Sequence, residues 1–207
     1  LTPIQLSIDR LQEKYYKEIP NDKEGFKKYL ETINRQIKDI EKLVNEFSSF
    51  ARMPRPVFKR TDIEEVLNRA IDFYKMSSLN LIKFKNISNK KLIVQGDEEQ
   101  LYRVFINLIK NSEESILEKK KKNQQFKGII DVEIANNNDY IAIKLKDNGV
   151  GNVDTSKIMT PYFTTKENGT GLGLPIVTKI INEHFGEFII KNLNEGVVIS
   201  INLPLSK

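Results

Sequence analysis

The 207-residue chain has no cysteine, no tryptophan and one histidine, His184. Without cysteine there is no disulfide framework, no thiolate nucleophile and no cysteine-based zinc site, so any core must rest on apolar packing. A single histidine cannot form a histidine pair for metal binding or for acid–base relay. No apolar run approaches the roughly 18 residues that a membrane-spanning helix needs, and no signal-peptide pattern is present. Charge of one sign is also scarce: 33 Lys and Arg against 28 Asp and Glu leave a net charge of +5. The one basic block, Lys119 to Lys122 beside Asn123, Gln124 and Gln125, has no aromatic residues interleaved. It is therefore expected as a solvated loop and not as a nucleic-acid patch.

Glycine is sparse too, at ten residues, yet three stand at alternate positions in Asn168-Gly169-Thr170-Gly171-Leu172-Gly173-Leu174. Such spacing lets backbone N–H groups approach an anion where a Cβ would clash. The run Leu174, Ile176, Val177, Ile180, Ile181 then opens an amphipathic helix, whose N-terminus suits phosphate. A dinucleotide fold carries its glycine turn after the first strand, and a Walker loop requires Lys after the last glycine; here the turn is late and Leu174 follows Gly173. Upstream, a helix from Asp97 to about Ile116 carries Asn107 and Asn111 on one face, opposite a stripe of Leu101, Val104, Phe105, Leu108 and Ile109. Two carboxamides four residues apart either ligate Mg²⁺ beside phosphates without adding negative charge, or stand solvated. Asp147-Asn148-Gly149-Val150-Gly151 follows a strand; its aspartate suits either a tight turn or acceptance of a hydrogen bond from an exocyclic amine.

The start of the chain is helical by period. Ile4, Ile8, Leu11 and Tyr15 form one stripe; after a turn at about Ile19 to Gly25, broken by Pro20, Phe26, Leu30, Ile33, Ile37, Ile40, Val44 and Phe47 alternate steps of four and three. That is a heptad seam, and one short hairpin cannot bury it alone. Pro54 and Pro56 mark a boundary. Beyond it, a helix from Asp62 to about Met76 is expected, with strands at Leu81 to Ile87 and Lys91 to Val94. A hairpin of Gly128 to Ala135 with Tyr140 to Lys146 follows the Asn111 helix. A last helix from about Leu172 to Phe185 precedes strands Glu187 to Lys191 and Gly196 to Leu203. The fold class is α+β, a helical hairpin followed by a sandwich with helices on one face of a mixed sheet.

Four motifs in this order resemble one family. Asn107 to Asn111, Asp147 to Gly151, Pro161-Tyr162-Phe163-Thr164-Thr165-Lys166 and Gly169 to Leu174 resemble the catalytic and ATP-binding domain of bacterial sensor histidine kinases. Leu1-Thr2-Pro3-Ile4-Gln5-Leu6-Ser7 and Glu46-Phe47-Ser48-Ser49-Phe50-Ala51-Arg52-Met53-Pro54 are similar to the dimerisation and phosphotransfer hairpin of nitrogen-regulation kinases of the NtrY branch. The resemblance implies a phosphotransfer hairpin over residues 1–53, half of a dimeric four-helix bundle. A linker at 54–60 and a catalytic domain of the GHKL (Bergerat) type at 61–207 follow, with an ATP lid at about 152–170. It implies ATP and Mg²⁺ as ligands, with Asn111 and Asn107 on the metal and Asp147 on the adenine amine. Gly149, Val150 and Gly151 would lie against the base; Phe163 of the lid would dock on the hydrophobic surface near the hairpin; and Lys110, Thr164, Thr165, Lys166, Gly169, Thr170, Gly171, Leu172, Gly173 and Leu174 would belong to the phosphate side of the ATP site. Glu113 and Glu114 stand where many members carry a basic residue, and Asn152 where many are apolar.

The implied partners are a second copy of the chain and a response regulator with a receiver domain. No nucleic acid is implied, and contact with a membrane is expected only through parts of an inner-membrane parent outside this chain, which itself lies on the cytoplasmic side. The family's phospho-accepting histidine, in the run His-Glu-Ile-Lys-Asn-Pro before Leu-Thr-Pro, is expected upstream of Leu1. His184, late in the last helix, is expected to be structural. Three other readings stay open: an ATPase of the gyrase, Hsp90 and mismatch-repair group, a serine kinase of the same nucleotide fold, and a non-catalytic dimeric scaffold that binds nucleotide.

Overall fold

The computed structural model describes residues 2–16, 22–76, 80–88, 90–151, 154–166 and 169–206. They fall into two compact units, one of Leu1–Met53 with Lys166–Thr170, the other of Pro54–Thr165 with Gly171–Lys207.

The first unit is a hairpin of α1 (Thr2–Tyr15) and α2 (Lys23–Ala51). Ile19 and Pro20 of the expected turn lie outside the described residues, but α2 begins at Lys23, so Gly25 belongs to a helix and not to the turn. The reason is Asp22, whose backbone is left-handed (φ 60°) and whose carboxylate accepts from the Gly25 N–H at 3.0 Å, an N-cap. Ile8, Leu30 and Ile37 are buried, with Phe26 packed against them. Ile33, Ile40, Val44 and Phe47, the rest of the heptad stripe, are 46–51% exposed.

The second unit has α3 (Ile63–Lys75), α4 (Glu98–Lys122) and α5 (Gly173–Glu183) over a five-stranded mixed sheet. Its strands are β2 (Leu81–Asn86), β4 (Ile129–Asn137), β5 (Tyr140–Asp147), β6 (Glu187–Asn192) and β7 (Val197–Pro204), in the order β2-β4-β5-β7-β6. Only the β2–β4 pair is parallel. Along β5, residues Ile141, Ile143 and Leu145 are buried while Lys144 and Lys146 are exposed, the period-two pattern of a sheet covered on one face. Val66, Leu67, Ala70 and Ile71 of α3, Leu101, Phe105 and Leu108 of α4, and Val177, Ile180 and Ile181 of α5 supply the covering layer. No helix among the described residues is long and apolar enough to cross a membrane.

Three boundaries differ from those expected. β1 (Lys59–Asp62) pairs with β3 (Ile93–Gly96) as a separate two-stranded sheet, so Lys59 and Arg60 are strand and not linker. β1 has a polar sequence with one buried residue, Thr61, whose Oγ1 donates to the Gly96 carbonyl at 2.9 Å; no apolar alternation announces it. The partner strand is likewise shifted from Lys91–Val94 to Ile93–Gly96 by this pairing. α4 continues past Ile116 to Lys122, which makes Lys119 to Lys122 its last turn and not a loop. Lysine is a good helix former, and four cations complement the negative end of the helix dipole.

Asp97 fastens this unit. Its Oδ1 accepts from the Gln100 N–H (3.1 Å), capping α4, while Oδ2 accepts from the Val57 N–H (2.9 Å). Asp97→Ala is expected to cost about 1–2 kcal/mol and to lower the melting temperature by about 2–8 °C. Asp97→Asn, which keeps a capping oxygen, should lose less. Thermal denaturation followed by circular dichroism checks both.

Candidate nucleotide site

β5 ends in a buried acid. Asp147 is 2% exposed. Burying a carboxylate is costly unless donors meet it, and here two do. Ser112 Oγ on α4 donates to Oδ2 at 3.1 Å, and the Gly149 N–H donates to Oδ1 at 2.9 Å. Ser115, one turn further along α4, accepts from the Val150 N–H at 3.0 Å. The opposite wall is the β6–β7 turn. Gly196 has φ +74°, and a Cβ built on it would stand 2.0 Å from the Asp147 carbonyl oxygen. The segment Asp147 to Gly151 is thereby held between a helix face and a turn, in space that only glycine leaves.

The glycine-rich turn meets the two asparagines. A Cβ on Gly173, at the start of α5, would lie 3.5 Å from Asn107 Oδ1 and 4.0 Å from Asn111 Nδ2. Asn107 Nδ2 donates to the Arg103 carbonyl at 2.9 Å, which leaves Oδ1 as the outward acceptor. Leu172, at the N-cap position of α5, provides no side-chain cap, so the first amides of that helix depend on another acceptor. Gly171 (φ +70°) accepts at its carbonyl from the Tyr162 N–H at 3.1 Å, and a Cβ there would strike the Tyr162 carbonyl carbon at 2.5 Å. The Pro161–Lys166 box and the glycine turn are thus laced together at this point.

These residues fit a magnesium nucleotide. Among the described residues no three of His, Cys, Asp and Glu cluster to hold a metal, so a divalent ion here would rely on carboxamide oxygens and on phosphate.

The sequence pattern of the family described as "Histidine kinase-, DNA gyrase B-, and HSP90-like ATPase" matches residues 96–207. The chain belongs to this family. Its NtrY-type character comes from the relatives. The nitrogen regulation protein NtrY of Azorhizobium caulinodans is 35% identical over 207 residues, covering 99% of this chain and 27% of that protein. Sporulation kinase C of Bacillus subtilis is 32% identical over 185 residues, 86% of this chain and 41% of that one. The chain therefore spans well under half the length of either relative. Among solved structures, a nucleotide-free catalytic domain of histidine kinase ThkA aligns with TM-score 0.60 at 27% identity, covering 73% of this chain and 99% of that chain. ThkA in complex with response regulator protein TrrA aligns with TM-score 0.70 over 99% of this chain and 58% of that chain; at 22% identity this likeness concerns the fold.

In this histidine-kinase ATPase domain the expected site residues divide into groups. Asp147, Gly149, Val150 and Gly151 gather with Ser112, Ser115 and Gly196 at the end of β5, Gly173 faces Asn107 and Asn111, and Gly171 lies against Tyr162 and Phe163. Leu172 is fully buried and Leu174 half-buried at the head of α5. Phe163 is half-buried, with its N–H on the Thr160 carbonyl at 3.2 Å, and Thr164 and Thr165 are exposed. Lys110 sits 4.0 Å from Glu114 one turn along the same helix. Lys166, Gly169 and Thr170 group with the helical hairpin, where the Thr170 hydroxyl donates to the Glu46 carboxylate. Residues 152, 153, 167 and 168, including Asn152 and Asn168, lie outside the described residues. Sequence reasoning missed Ser112, Ser115 and Gly196. Ser115 was legible, because Asn107, Asn111 and Ser115 repeat every four residues on α4; Gly196 in an ordinary turn had no local signature.

His184 is structural. It is 2% exposed; Nε2 accepts from the Asp97 N–H at 2.9 Å and Nδ1 lies 2.8 Å from the Ile180 carbonyl, the pattern of a neutral ring protonated on Nδ1. Burial lowers its pKa below the usual 6.5, although the Ile180 carbonyl and nearby Asp97 and Glu183 pull the other way. Above an unfolded pKa of about 6.5 both states hold a neutral ring, and the stabilisation is complete. As pH falls below that value the unfolded state binds the proton first, so stability declines progressively until pH passes the depressed folded pKa. Thermal melts of residues 1–207 should therefore fall between pH 7.5 and 5.5, with a smaller slope in His184→Gln. A flat profile in the unaltered chain would contradict the neutral, buried assignment.

Proposed function

We propose that this chain binds MgATP in the cleft between Asp147 and Gly173 and serves as the ATP-binding part of a two-component sensor histidine kinase. The observation that carries this reading is the buried Asp147 carboxylate, held by Ser112 of α4 and by Gly149, on the same helix whose Asn107 and Asn111 face Gly173 at the head of α5. Asp147 accepts from the adenine amine, and a guanine carbonyl at that place would leave it unmatched. Gly149 and Gly151 admit the base, and the amides at the head of α5 receive phosphate. Asn111, with Asn107, holds Mg²⁺, which neutralises charge on the phosphate oxygens when bound. Phosphoryl transfer of this kind depends on holding donor and acceptor in line more than on covalent chemistry by the protein. Asn107 supplies no carboxylate to activate water, which favours transfer to a protein over hydrolysis.

The acceptor in this reading is a histidine on the hairpin helix, upstream of Leu1, and the phosphate then passes to a response-regulator aspartate. His184 is excluded as acceptor by its burial and by the engagement of both nitrogens. Residues 1–53 are the dimerisation and phosphotransfer hairpin, which pairs with a second copy into a four-helix bundle. Its half-exposed Ile33, Ile40, Val44 and Phe47 support this.

Calorimetry should give a micromolar dissociation constant for MgATP, about −7 to −8 kcal/mol. Asp147→Ala should abolish the preference for ATP over GTP, and Asn111→Ala should lose Mg²⁺-dependent binding more than Asn107→Ala does. Equal affinity of the unaltered chain for both nucleotides would remove the adenine assignment. With labelled ATP, residues 1–207 should take up no γ-phosphate at His184. A chain extended upstream through the family's His-Glu-Ile-Lys-Asn-Pro should form an acid-labile phosphohistidine, and failure of the extended, folded dimer to do so would favour a non-catalytic scaffold. For the hairpin, Ile40→Asp with Val44→Asp, both on the half-exposed seam and outside the hairpin's own core, should yield monomers, since a carboxylate in a paired seam costs several kcal/mol. Light scattering that finds the unaltered chain monomeric at tens of micromolar would contradict the bundle.

A further inference from the structure

Lys119 does not behave as a helix-terminal lysine. Its neighbours Lys121 and Lys122 are exposed, as cations closing a helix usually are, but the Lys119 side chain is only 25% exposed. Its ammonium donates to the Asn148 carbonyl at 2.9 Å and to Glu195 Oε2 at 3.2 Å, and it stands 4.4 Å over the Phe126 ring. Fixing a lysine in this way gives up side-chain entropy, so the contacts must return more than an exposed ion pair does.

What they hold is specific. The Asn148 carbonyl and the Gly149 N–H belong to one peptide unit, which is planar. That N–H donates to Asp147 Oδ1 at 2.9 Å. A hydrogen bond from Lys119 to one end of the plane therefore fixes the direction in which the other end meets the Asp147 carboxylate, and polarises the N–H that does so. Glu195, the second partner, directly precedes Gly196, whose Cα leaves no space for a Cβ against the Asp147 carbonyl. One ammonium at the end of α4 thus ties together the two loops that frame Asp147. The remaining polar atoms of Asn148 are engaged elsewhere: Oδ1 accepts from the Ile129 N–H at 2.8 Å and Nδ2 donates to the Lys127 carbonyl at 3.0 Å. The hydrogen bond from Lys119 reaches Asn148 from the helix that carries Asn107 and Asn111.

We propose that Lys119 is a positioning residue for base selection: by holding the Asn148–Gly149 peptide and the Glu195 turn together, it orients the Asp147 carboxylate toward the amine of adenine. This rests on the reading of the cleft as an ATP site. Its effect is confined to nucleotides whose base donates to Asp147, and the phosphate end of the cleft does not depend on it.

The test measures binding of MgATP and MgGTP by calorimetry to residues 1–207, below the melting temperature of each variant. Lys119→Met, which keeps the aliphatic stem, should weaken ATP about tenfold and leave GTP within about twofold. Glu195→Gln, at a largely exposed site where folding is not at risk, should weaken ATP about threefold with GTP again unchanged. Lys119→Arg, which can reach both partners, should restore ATP to within about threefold of the unaltered chain. An unchanged ATP-to-GTP ratio in Lys119→Met overturns the proposal, whether affinity is intact or both nucleotides weaken equally, because equal weakening marks a general loosening of the fold. If the unaltered chain already shows no preference for ATP, the adenine reading of Asp147 fails and the proposal falls with it, an outcome visible before any variant is made.

Discussion

The buried carboxylate of Asp147 is the constraint around which the second unit is arranged. An ionised acid removed from water carries a penalty of several kcal/mol unless hydrogen bonds replace its hydration. Ser112 and the Gly149 amide are such replacements, and each imposes a condition on the rest of the fold. Ser112 must face the sheet from α4, which sets the rotation of that helix. The Gly149 amide must turn back on the preceding side chain, which bends the strand exit sharply. Gly196 must lack a Cβ, which sets the β6–β7 turn against the end of β5. The same polar atoms that make the acid tolerable give it a fixed direction, which is what the proposed reading of the adenine amine requires of it.

α4 is the element through which these conditions communicate. Its 25 residues extend about 37 Å at 1.5 Å per residue. Asn107, Asn111, Ser115 and Lys119 follow one another along it at steps of four, while Ser112 lies on its buried face between Leu108 and Ile116, so the groups around Asp147 and around Gly173 are referred to a single rigid rod. That buried face, with Leu101, Val104, Phe105, Leu108, Ile109 and Ile116, lies under the sheet and the flanking helices. At its N-terminus, Asp97 caps the helix and donates its N–H to His184 on the last turn of α5. Two helices that each present part of the cleft are thereby locked at a point remote from it. A buried neutral histidine suits this role because it accepts on one nitrogen and donates on the other without bringing charge into the core.

Much of this was legible in the sequence because apolar periods in a domain of this size are dictated by burial. α3, the β4–β5 hairpin, α5 and the closing strands β6 and β7 follow from alternation of two or of three and four, and the Asn107, Asp147 and Gly169–Leu174 segments stand out as motifs. What escaped had another cause. β1 is held by backbone pairing and by one threonine hydroxyl, neither of which leaves an apolar pattern. The last turn of α4 reads as a solvated loop from its charge and its lack of interleaved aromatics. Charge does not distinguish a lysine in water from one whose ammonium meets a carbonyl and a carboxylate, because those partners lie 29 and 76 residues further along the chain. Gly196 was silent for the same reason: the need for a missing Cβ comes from Asp147, far away in sequence and against it in space.

The two units differ in how they reach stability. The second has a continuous layer of buried side chains from three helices and five strands, enough apolar area to fold around itself. The hairpin has three buried side chains and one partly buried phenylalanine for two helices of 14 and 29 residues. In proteins most of a helix's stability comes from packing an apolar face, and here much of that face on α2 is left half-exposed. The seam of Ile33, Ile40, Val44 and Phe47 is then the surface on which the balance must close, and an apolar partner of heptad pattern is what it accommodates. A second copy of the same hairpin, the partner proposed above, would satisfy that requirement with no new sequence.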